Sequence, residues 1–466
     1  MKFWQMELTL VEFIFDFMYM STFILIGTAA RRYIKFFQKF LIPNNLIGGL
    51  LALIFSTQVL GWIDLPTERL TAYIYHLLAL TFIALGLRQQ KTEWGKGPVS
   101  KSFAGLTIIC LQATIGILIA FALFYTIKPD LFLGVGLLLP LGFAMGPGLA
   151  ASMGGSWEQY GFEGGSTVGV TFAAIGFLYA YFAGMTIINW GIKTRKSALI
   201  KSTDHITVDM RTGVYKSKQP PVAGHLPLST EAIEPMAFHL GLIGFVYLLT
   251  YGFLKLVTIP LTNANLHDFV DIFWSFHFVF GLIIAIIIRK LIDISGRSYV
   301  IDKGLMTRGM GVFLDYLVVG AIAAISIKVI GMYWEALLIM SLVAGPVTFV
   351  TLYWICWRAF DNFHFERFVE LFGEFTGTTN SGLILLRVLD PEFKTPVAED
   401  AVYGSGLSLF IGLPLLFSLG IPMQFFNNSV KGYWITLGII VVYWIILTII
   451  WKMIGYLRLK RVDSEN

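Results

Sequence analysis

Apolar runs of about 20 residues, long enough to cross a bilayer as helix, recur eleven times along this chain. They lie near 9–30, 41–62, 70–87, 103–127, 165–190, 234–257, 269–288, 309–331, 335–357, 402–421 and 433–457. Two further segments, near 131–155 and 367–390, are shorter and broken by glycine. In the first, the run Gly142 to Gly155 holds five Gly and one Pro in fourteen residues. Glycine costs about 1 kcal/mol against alanine inside a helix, and proline about 3. Unwound backbone is tolerated at membrane depth only where protein or a water-filled cavity surrounds it. The second segment has the same difficulty between Gly373 and Gly382. Both read as re-entrant hairpins.

Composition agrees with a bilayer setting. Charged residues make up 14% of the chain and the mean hydropathy is +0.73, against roughly 25% charged in soluble domains. The two cysteines, Cys110 and Cys356, lie far apart in apolar segments and form neither a metal spacing nor a disulfide framework. One Lys precedes a long apolar segment containing Glu12 and Asp16, with no small-residue cleavage site close behind, so the N-terminal run reads as the first span.

Basic residues set the orientation. Arg31, Arg32, Lys35 and Lys39 fill the first loop, and Arg88, Lys91, Lys96 and Lys101 a later one. Lys193, Arg195, Lys196, Lys201, Arg211, Lys216 and Lys218 mark a polar linker. Arg289, Lys290, Arg297, Lys303 and Arg308 follow, then Arg458, Lys460 and Arg461 in the tail. All fall on one side if both broken segments enter and leave on the same face. The other side holds mainly Lys2, Arg69, Lys128 and Lys431. The expectation is a multi-pass inner-membrane protein with its N-terminus outside and its C-terminus cytoplasmic. The first hairpin enters from outside and the second from inside.

Hydropathy also repeats. Residues 1–191 carry four spans, a hairpin and a fifth span; residues 233–421 do the same. Five crossings is odd, so the second unit is inverted relative to the first. The linker 192–232, with Gln219-Pro220-Pro221, joins them, and 422–466 adds one span and a tail. The expected fold is therefore an all-α polytopic membrane protein of two inverted five-span repeats plus a C-terminal span. Paired breaks at matching positions point to a secondary transporter with its site between them.

The second hairpin carries side-chain chemistry. Thr376, Thr378, Thr379, Asn380 and Ser381 place five oxygen-bearing side chains in six positions, suited to a hard cation such as Na+. The competing reading is that they satisfy helix backbone. Glu374 opens the turn and either faces a cation or substrate ammonium, or pairs with Arg367. Arg387, on the return arm, either clamps a substrate carboxylate through two parallel hydrogen bonds or reaches the surface and Asp390. The first hairpin offers backbone through Gly146, Pro147 and Gly148, and one hydroxyl, Ser152. Close helix packing competes for Ala150, Ala151 and Gly154. Substrate contact is expected at Gly146, Pro147, Gly148, Ser152, Gly377, Thr379, Ser381, Gly382 and Arg387; Na+ is expected at Thr376, Thr378, Asn380 and Glu374. Asp16 is an intramembrane charge with no assigned partner. Glu12, Lys255, Asp271, Asp315 and Lys328 lie nearer span ends, and His76, His239 and His277 are scattered without metal spacing.

Several stretches carry a resemblance. They are Ile42-Pro43-Asn44-Asn45-Leu46-Ile47-Gly48-Gly49-Leu50, Thr81-Phe82-Ile83-Ala84-Leu85-Gly86-Leu87, Gly146-Pro147-Gly148 with Tyr160-Gly161-Phe162, and the second hairpin. In order and spacing, over almost the whole chain, they resemble the bacterial sodium:glutamate symporter family. The resemblance implies a dimeric elevator transporter with both hairpins in its moving domain, coupling Na+ entry to glutamate uptake. The chain departs from that pattern at Pro147 and Leu149, where the family has His and Thr, and in the second hairpin, which lacks the family's Thr-Pro-Thr run. Pro147 is the position expected to mark a changed substrate. The expected function is Na+-coupled symport of glutamate or a related small carboxylate, with no cofactor beyond the coupling ion and no nucleic-acid partner. Alternatives of the same architecture are an organic-anion transporter or a Na+/H+ antiporter working through Glu374. A membrane enzyme lacks the acidic or His/Glu clusters that metal-assisted chemistry needs, and a channel fits two opposed hairpins less well.

Overall fold

The structure, a computed structural model, describes residues 10–88, 95–199, 208–214, 222–263, 270, 273–274, 276–390 and 394–458, without the side chains of 209 and 210. Asp271, Gln219-Pro220-Pro221 and the basic residues Lys2, Lys91, Lys201, Lys216, Lys218, Lys460 and Arg461 lie outside the described residues.

The described chain is helical, with one isolated bridge between Ser56 and Ile63. In chain order the helices begin with α1 (Leu10–Tyr33), α2 (Lys35–Lys39), α3 (Asn44–Phe55), α4 (Thr67–Leu87) and α5 (Lys96–Thr126). Next come α6 (Val135–Phe143), α7 (Pro147–Trp157), α8 (Gly165–Leu178), α9 (Gly184–Lys193), α10 (Val208–Thr212) and α11 (Pro235–Asn263). The remainder are α12 (His277–Ile294), α13 (Lys303–Ala323), α14 (Ile327–Ala359), α15 (His364–Phe375), α16 (Thr379–Leu389), α17 (Val397–Ile411), α18 (Leu413–Ser418), α19 (Ile421–Gln424) and α20 (Val430–Met453). Among the described residues, eight helical stretches are long and apolar enough to cross a membrane: α1, α4, α5, Gly165–Lys193, α11, α13, α14 and α20. The chain is a polytopic helical membrane protein.

Three expected spans differ. The run at 41–62 holds a helix of only 12 residues, α3. The run at 269–288 lies partly outside the described residues and continues as α12. The run at 402–421 splits into α17, α18 and α19, because Pro414 and Pro422 each sit in the first turn of a new helix after a glycine, Gly412 and Gly420. Proline is tolerated in a first turn and disruptive further in.

The chain divides into two compact units. The first comprises Met1–Ala30, Asn44–Gln90 and Val214–Ala324. There α4 packs against α12 and α13, and Ile83, Ala84, Leu87, Ile243, Val246 and Ala285 form a buried cluster. Gly86 permits the α4–α12 approach: a Cβ there would lie 2.7 Å from Cβ of Ala285 and 2.9 Å from the carbonyl oxygen of Leu282. Asp16 is fully buried in this unit and has a partner after all. Arg69 grips it through Nε at 2.7 Å and Nη2 at 2.8 Å, and the Tyr73 hydroxyl donates to it at 2.9 Å. Asp315 accepts from the Asn45 amide at 2.8 Å. The histidines hold structural bonds: His76 to the Tyr247 hydroxyl at 2.6 Å, His277 to the carbonyls of Trp274 and Tyr75, and His239 accepting from the Asp302 amide at 2.9 Å.

The second unit comprises Arg31–Pro43, Lys91–Gly213 and Ile325–Asn466. The chain enters it twice with one order of elements: a long helix (α5, α14), a pair of short helices (α6–α7, α15–α16), then a further helix (α8, α17). Both helix pairs therefore belong to the same compact unit.

Candidate functional site

Each pair of short helices turns where glycine breaks the helix. Between α6 and α7, Gly146 has φ +90° and ψ +169°, a region that glycine alone adopts freely. Pro147 then opens α7, where its missing N–H costs nothing because the first turn lacks intrahelical acceptors. No side chain caps this end of α7. Between α15 and α16, Thr376 and Gly377 turn the chain and Thr378 caps α16, its hydroxyl accepting from the Ser381 amide at 3.4 Å.

The two turns meet. A Cβ on Gly146 would lie 3.2 Å from Cγ2 of Thr378. Two helix N-termini, those of α7 and α16, thus start from adjoining turns. First-turn N–H groups and the helix dipole favour an anion at such ends. One carbonyl of the opposite helix end in the second turn is already engaged: the Gln112 amide donates to the Phe375 carbonyl at 3.0 Å and to the Thr348 hydroxyl at 2.9 Å.

The glycines of the first pair divide by role. Gly142 and Gly154 pack against α8: a Cβ on Gly142 would sit 2.6 Å from Cβ of Phe172, and one on Gly154 would overlap the Gly165 carbonyl. Gly169 of α8 faces the Ala150 carbonyl at 2.6 Å in the same sense. Close packing accounts for these positions and for Ala150. Gly146, Pro147 and Gly148 lie at the turn itself, all buried. Ser152 is 2% exposed, and its hydroxyl has no hydrogen-bond partner among the described residues.

The second pair holds its polar residues more tightly than their spacing suggests. The buried Thr376 hydroxyl donates to the Phe372 carbonyl at 2.7 Å, a bond within its own helix. The Ser381 hydroxyl bonds the Tyr181 hydroxyl at 2.9 Å and lies 3.3 Å from that of Thr378. Tyr181 belongs to a π-helical turn, Tyr179–Ala183, that follows α8. Gly377 and Gly382 permit close packing: a Cβ on Gly382 would lie 2.5 Å from the Glu370 carbonyl oxygen. Asn380 is exposed, Thr378 and Thr379 are half-buried, and Arg387 sits half-buried in the last turn of α16. Asp390 accepts from the backbone of Lys394 and Thr395, each at 2.8 Å.

Glu374 is the main correction. It does not pair with Arg367, whose guanidinium lies 2.7 Å from Asp400. Lys101 of α5 instead places its ammonium 2.9 Å from both carboxylate oxygens of Glu374. The hydroxyls of Thr379 and Ser405 each donate to Oε1 at 3.0 Å, and Lys101 also bonds Ser405. An ammonium already matches the Glu374 charge, so Glu374 is withdrawn as a Na+ ligand. Thr376 is withdrawn with it, its hydroxyl being engaged within its helix.

Two residues of this cluster escaped the sequence reading. Lys101 reads from the sequence as a loop residue, but α5 starts at Lys96, well before the apolar run begins, and Lys101 is 2% exposed. Glu370 was passed over. It is 1% exposed and stands one turn before Glu374, and with Glu366 it completes a stripe at 366, 370 and 374. That four-residue spacing on one helix face was the available signal. The Glu366 carboxylate accepts from the Ala198 amide at 2.7 Å and the Ser197 hydroxyl at 3.0 Å.

A cavity of about 290 Å³ opens beside this cluster, lined by Lys96, Gly97, Arg367, Glu399, Asp400 and Tyr403 among others. Among the described residues no group of three His, Cys, Asp or Glu is arranged to hold a metal ion. No protein-family model, curated protein or solved structure compared with the chain matches it.

Proposed function

We propose that the chain is a secondary active transporter for a small carboxylate-bearing solute, glutamate first, with Na+ as the coupling ion. The observation that carries this reading is the meeting of the two helix-pair turns at Gly146 and Thr378 within one compact unit. Two helix N-termini beside one another, with glycine backbone and the buried Ser152 hydroxyl nearby, suit a carboxylate. Na+ is proposed at two oxygens of the second turn, the Asn380 amide oxygen and the Thr378 hydroxyl, whose capping bond to the Ser381 amide is long at 3.4 Å. Binding of the ion there would hold the turn in the form that receives the solute, a reciprocal linkage between the two ligands.

The membrane arrangement proposed with it is two inverted repeats whose helix pairs re-enter from opposite faces, the N-terminus outside and the C-terminus cytoplasmic. The unit carrying both pairs would move as an elevator within a homodimer. Support comes from the recurrence of long helix, helix pair and further helix in that unit, and from the basic loop residues, most of which fall on one side under this arrangement. The resemblance to sodium:glutamate symporters points the same way.

Uptake into proteoliposomes under an imposed Na+ gradient, screened over amino acids and dicarboxylates, tests the reading. Concentrative, Na+-driven uptake of an acidic solute is expected, abolished in Thr378→Ala and Asn380→Ala while both variants purify as folded protein. Uptake whose Na+ dependence survives both substitutions sinks the ion site. Failure of every acidic solute to accumulate sinks the substrate class.

A further inference from the structure

We propose that Glu370, Glu374 and Lys101 form a proton-binding site that exchanges its proton with water through the cavity beside Arg367 and Asp400. The argument starts from charge. Two carboxylates and one ammonium are enclosed together, with side chains of Lys101 and Glu374 only 2% and 8% exposed and Glu370 1% exposed. With both carboxylates ionised, the trio carries one uncompensated negative charge. Burying such a charge is costly enough that a group takes up a proton instead. One added proton makes the cluster neutral.

The geometry assigns that proton to Glu370. Glu374 Oε1 already receives Lys101, Thr379 and Ser405, and its Oε2 faces the same ammonium. Glu370 Oε1 is buried with no hydrogen-bond partner among the described residues. It points toward α16, where a Cβ on Gly382 would come within 3.1 Å of it. A Na+ ion there would need several further oxygens, and Glu374 offers only Oε2, which faces the Lys101 ammonium at 2.9 Å. A proton needs only one oxygen. Buried carboxylates in membrane transporters commonly serve as proton relays.

The charged and titratable groups around Glu370 come from α15 itself, α5, α14, α17 and the π-helical turn, while α16 and α9, which also pack on α15, bring Arg387 and Lys193 in their last turns. Glu374 and Arg367 share the helix of Glu370, Lys101 reaches it from α5, and the Cys356 thiol faces it from α14. On α17, Asp400 is held by Arg367 at 2.7 Å. From the π-helical turn, Tyr181 is engaged with Ser381.

The same helices build the route to water. The cavity is lined by Gly97 of α5, Arg367 of α15 and Asp400 of α17. Lys101, Glu370 and Gly404 each stand one turn further along those helices, and a Cβ on Gly404 would lie 2.5 Å from Cδ of Lys101. The Arg367–Asp400 pair therefore separates open water from the buried trio. A hydronium ion in the cavity gives its proton to a Glu370 oxygen, an O–H bond forms, and water is left behind. On the other side, Glu374 accepts from the hydroxyl of Thr379, the first residue of α16. Protonation of the trio is thereby tied to the turn that meets Gly146. This coupling role rests on the transport reading; the proton site itself does not.

Infrared spectroscopy of the purified full chain is the test. A carbonyl stretching band from a protonated buried carboxyl, shifted in D2O, is expected at neutral pH and is lost in Glu370→Gln. Glu370→Asp keeps a band at a displaced frequency, which excludes misfolding as the cause of its loss. An unchanged band in Glu370→Gln overturns the proposal. A second arm follows internal pH in proteoliposomes during uptake: the wild type moves protons with solute, and Glu370→Gln moves solute without protons. If the wild type takes up no solute but its infrared band behaves as expected, the transport reading fails and the proton site stands.

Discussion

Gly146 and Thr378, 232 positions apart in sequence, face each other closely enough that one methyl group would fill the space between their turns. A Cβ on Gly146 would lie 3.2 Å from Cγ2 of Thr378, on a backbone at φ +90°. Gly146→Ala therefore adds crowding to backbone strain of about 1–3 kcal/mol. A loss of roughly tenfold or more in uptake is expected, since each 1.36 kcal/mol is a factor of ten. The double variant Gly146→Ala/Thr378→Ser, which removes the opposing methyl, is expected to recover part of it. Undiminished uptake by Gly146→Ala would show that the turns do not work together.

Lys101 is the one cation bonded to Glu374 among the described residues, and removing it leaves the Glu374 carboxylate buried without its ammonium. Breaking one partner of a buried pair costs about 3–5 kcal/mol. Lys101→Met is expected to lower the unfolding temperature in detergent accordingly. Combining it with Glu374→Gln removes the charge it left unmatched and restores most of the loss. Additive losses in the double variant would mean that the two side chains do not act as one pair.

The split between what the sequence showed and what it did not follows the range of the interactions. Helices that cross a membrane announce themselves through continuous apolar runs, and eight of the eleven runs became such helices. The two turns at Gly146 and Gly377 were legible for the same reason, since glycine and proline break helix wherever they stand. The bonds of Thr376 were half legible: its hydroxyl was weighed as an ion ligand and as a helix-backbone donor, and the second use is the one it makes. The partners of Asp16 and Glu374 were not legible. Arg69 is 53 residues from Asp16 and Lys101 is 273 from Glu374, and nothing local in a sequence records which helices pack together. Lys101 is obscured for a second reason: apolarity begins at residue 103, whereas the helix begins at Lys96, so a residue inside the helix reads as a loop charge.

Asp361 gives the protein a pH-sensitive contact outside its spans. Partial burial by itself would raise its carboxyl, but Lys96, at 2.6 and 2.7 Å, and Arg458, at 3.2 Å, outweigh it and hold Asp361 below its ordinary 3.8. A carboxyl held low in the folded state contributes stability that is present above its ordinary value and lost as pH falls through the lowered one. The Asp361 side chain is 49% exposed, so the contribution stays within about 1 kcal/mol and weakens in salt. Acid titration of thermal stability below about pH 4 is expected to show a steeper fall in the wild type than in Asp361→Asn. Parallel curves at low salt would remove the contact from the account.

In the first unit, the Arg69–Asp16 pair is expected to govern folding. Asp16 is fully buried and receives two guanidinium bonds plus the Tyr73 hydroxyl, and Arg69 is itself 7% exposed, with Glu12 and Asp64 at 3.4 and 3.2 Å completing its surroundings. Asp16→Ala leaves the guanidinium with only those two outer carboxylates, and a destabilisation of about 3–5 kcal/mol is expected. Tyr73→Phe removes one neutral donor to a charged acceptor and is expected to cost about 1.5–3 kcal/mol. Replacing both ions together, as Asp16→Asn with Arg69→Gln, keeps polar groups of similar size and removes the unmatched charge, so it is expected to be milder than Asp16→Ala alone. Thermal unfolding of the purified variants checks this order. If Asp16→Ala unfolds no earlier than Tyr73→Phe, the carboxylate does not carry the weight its bonds imply.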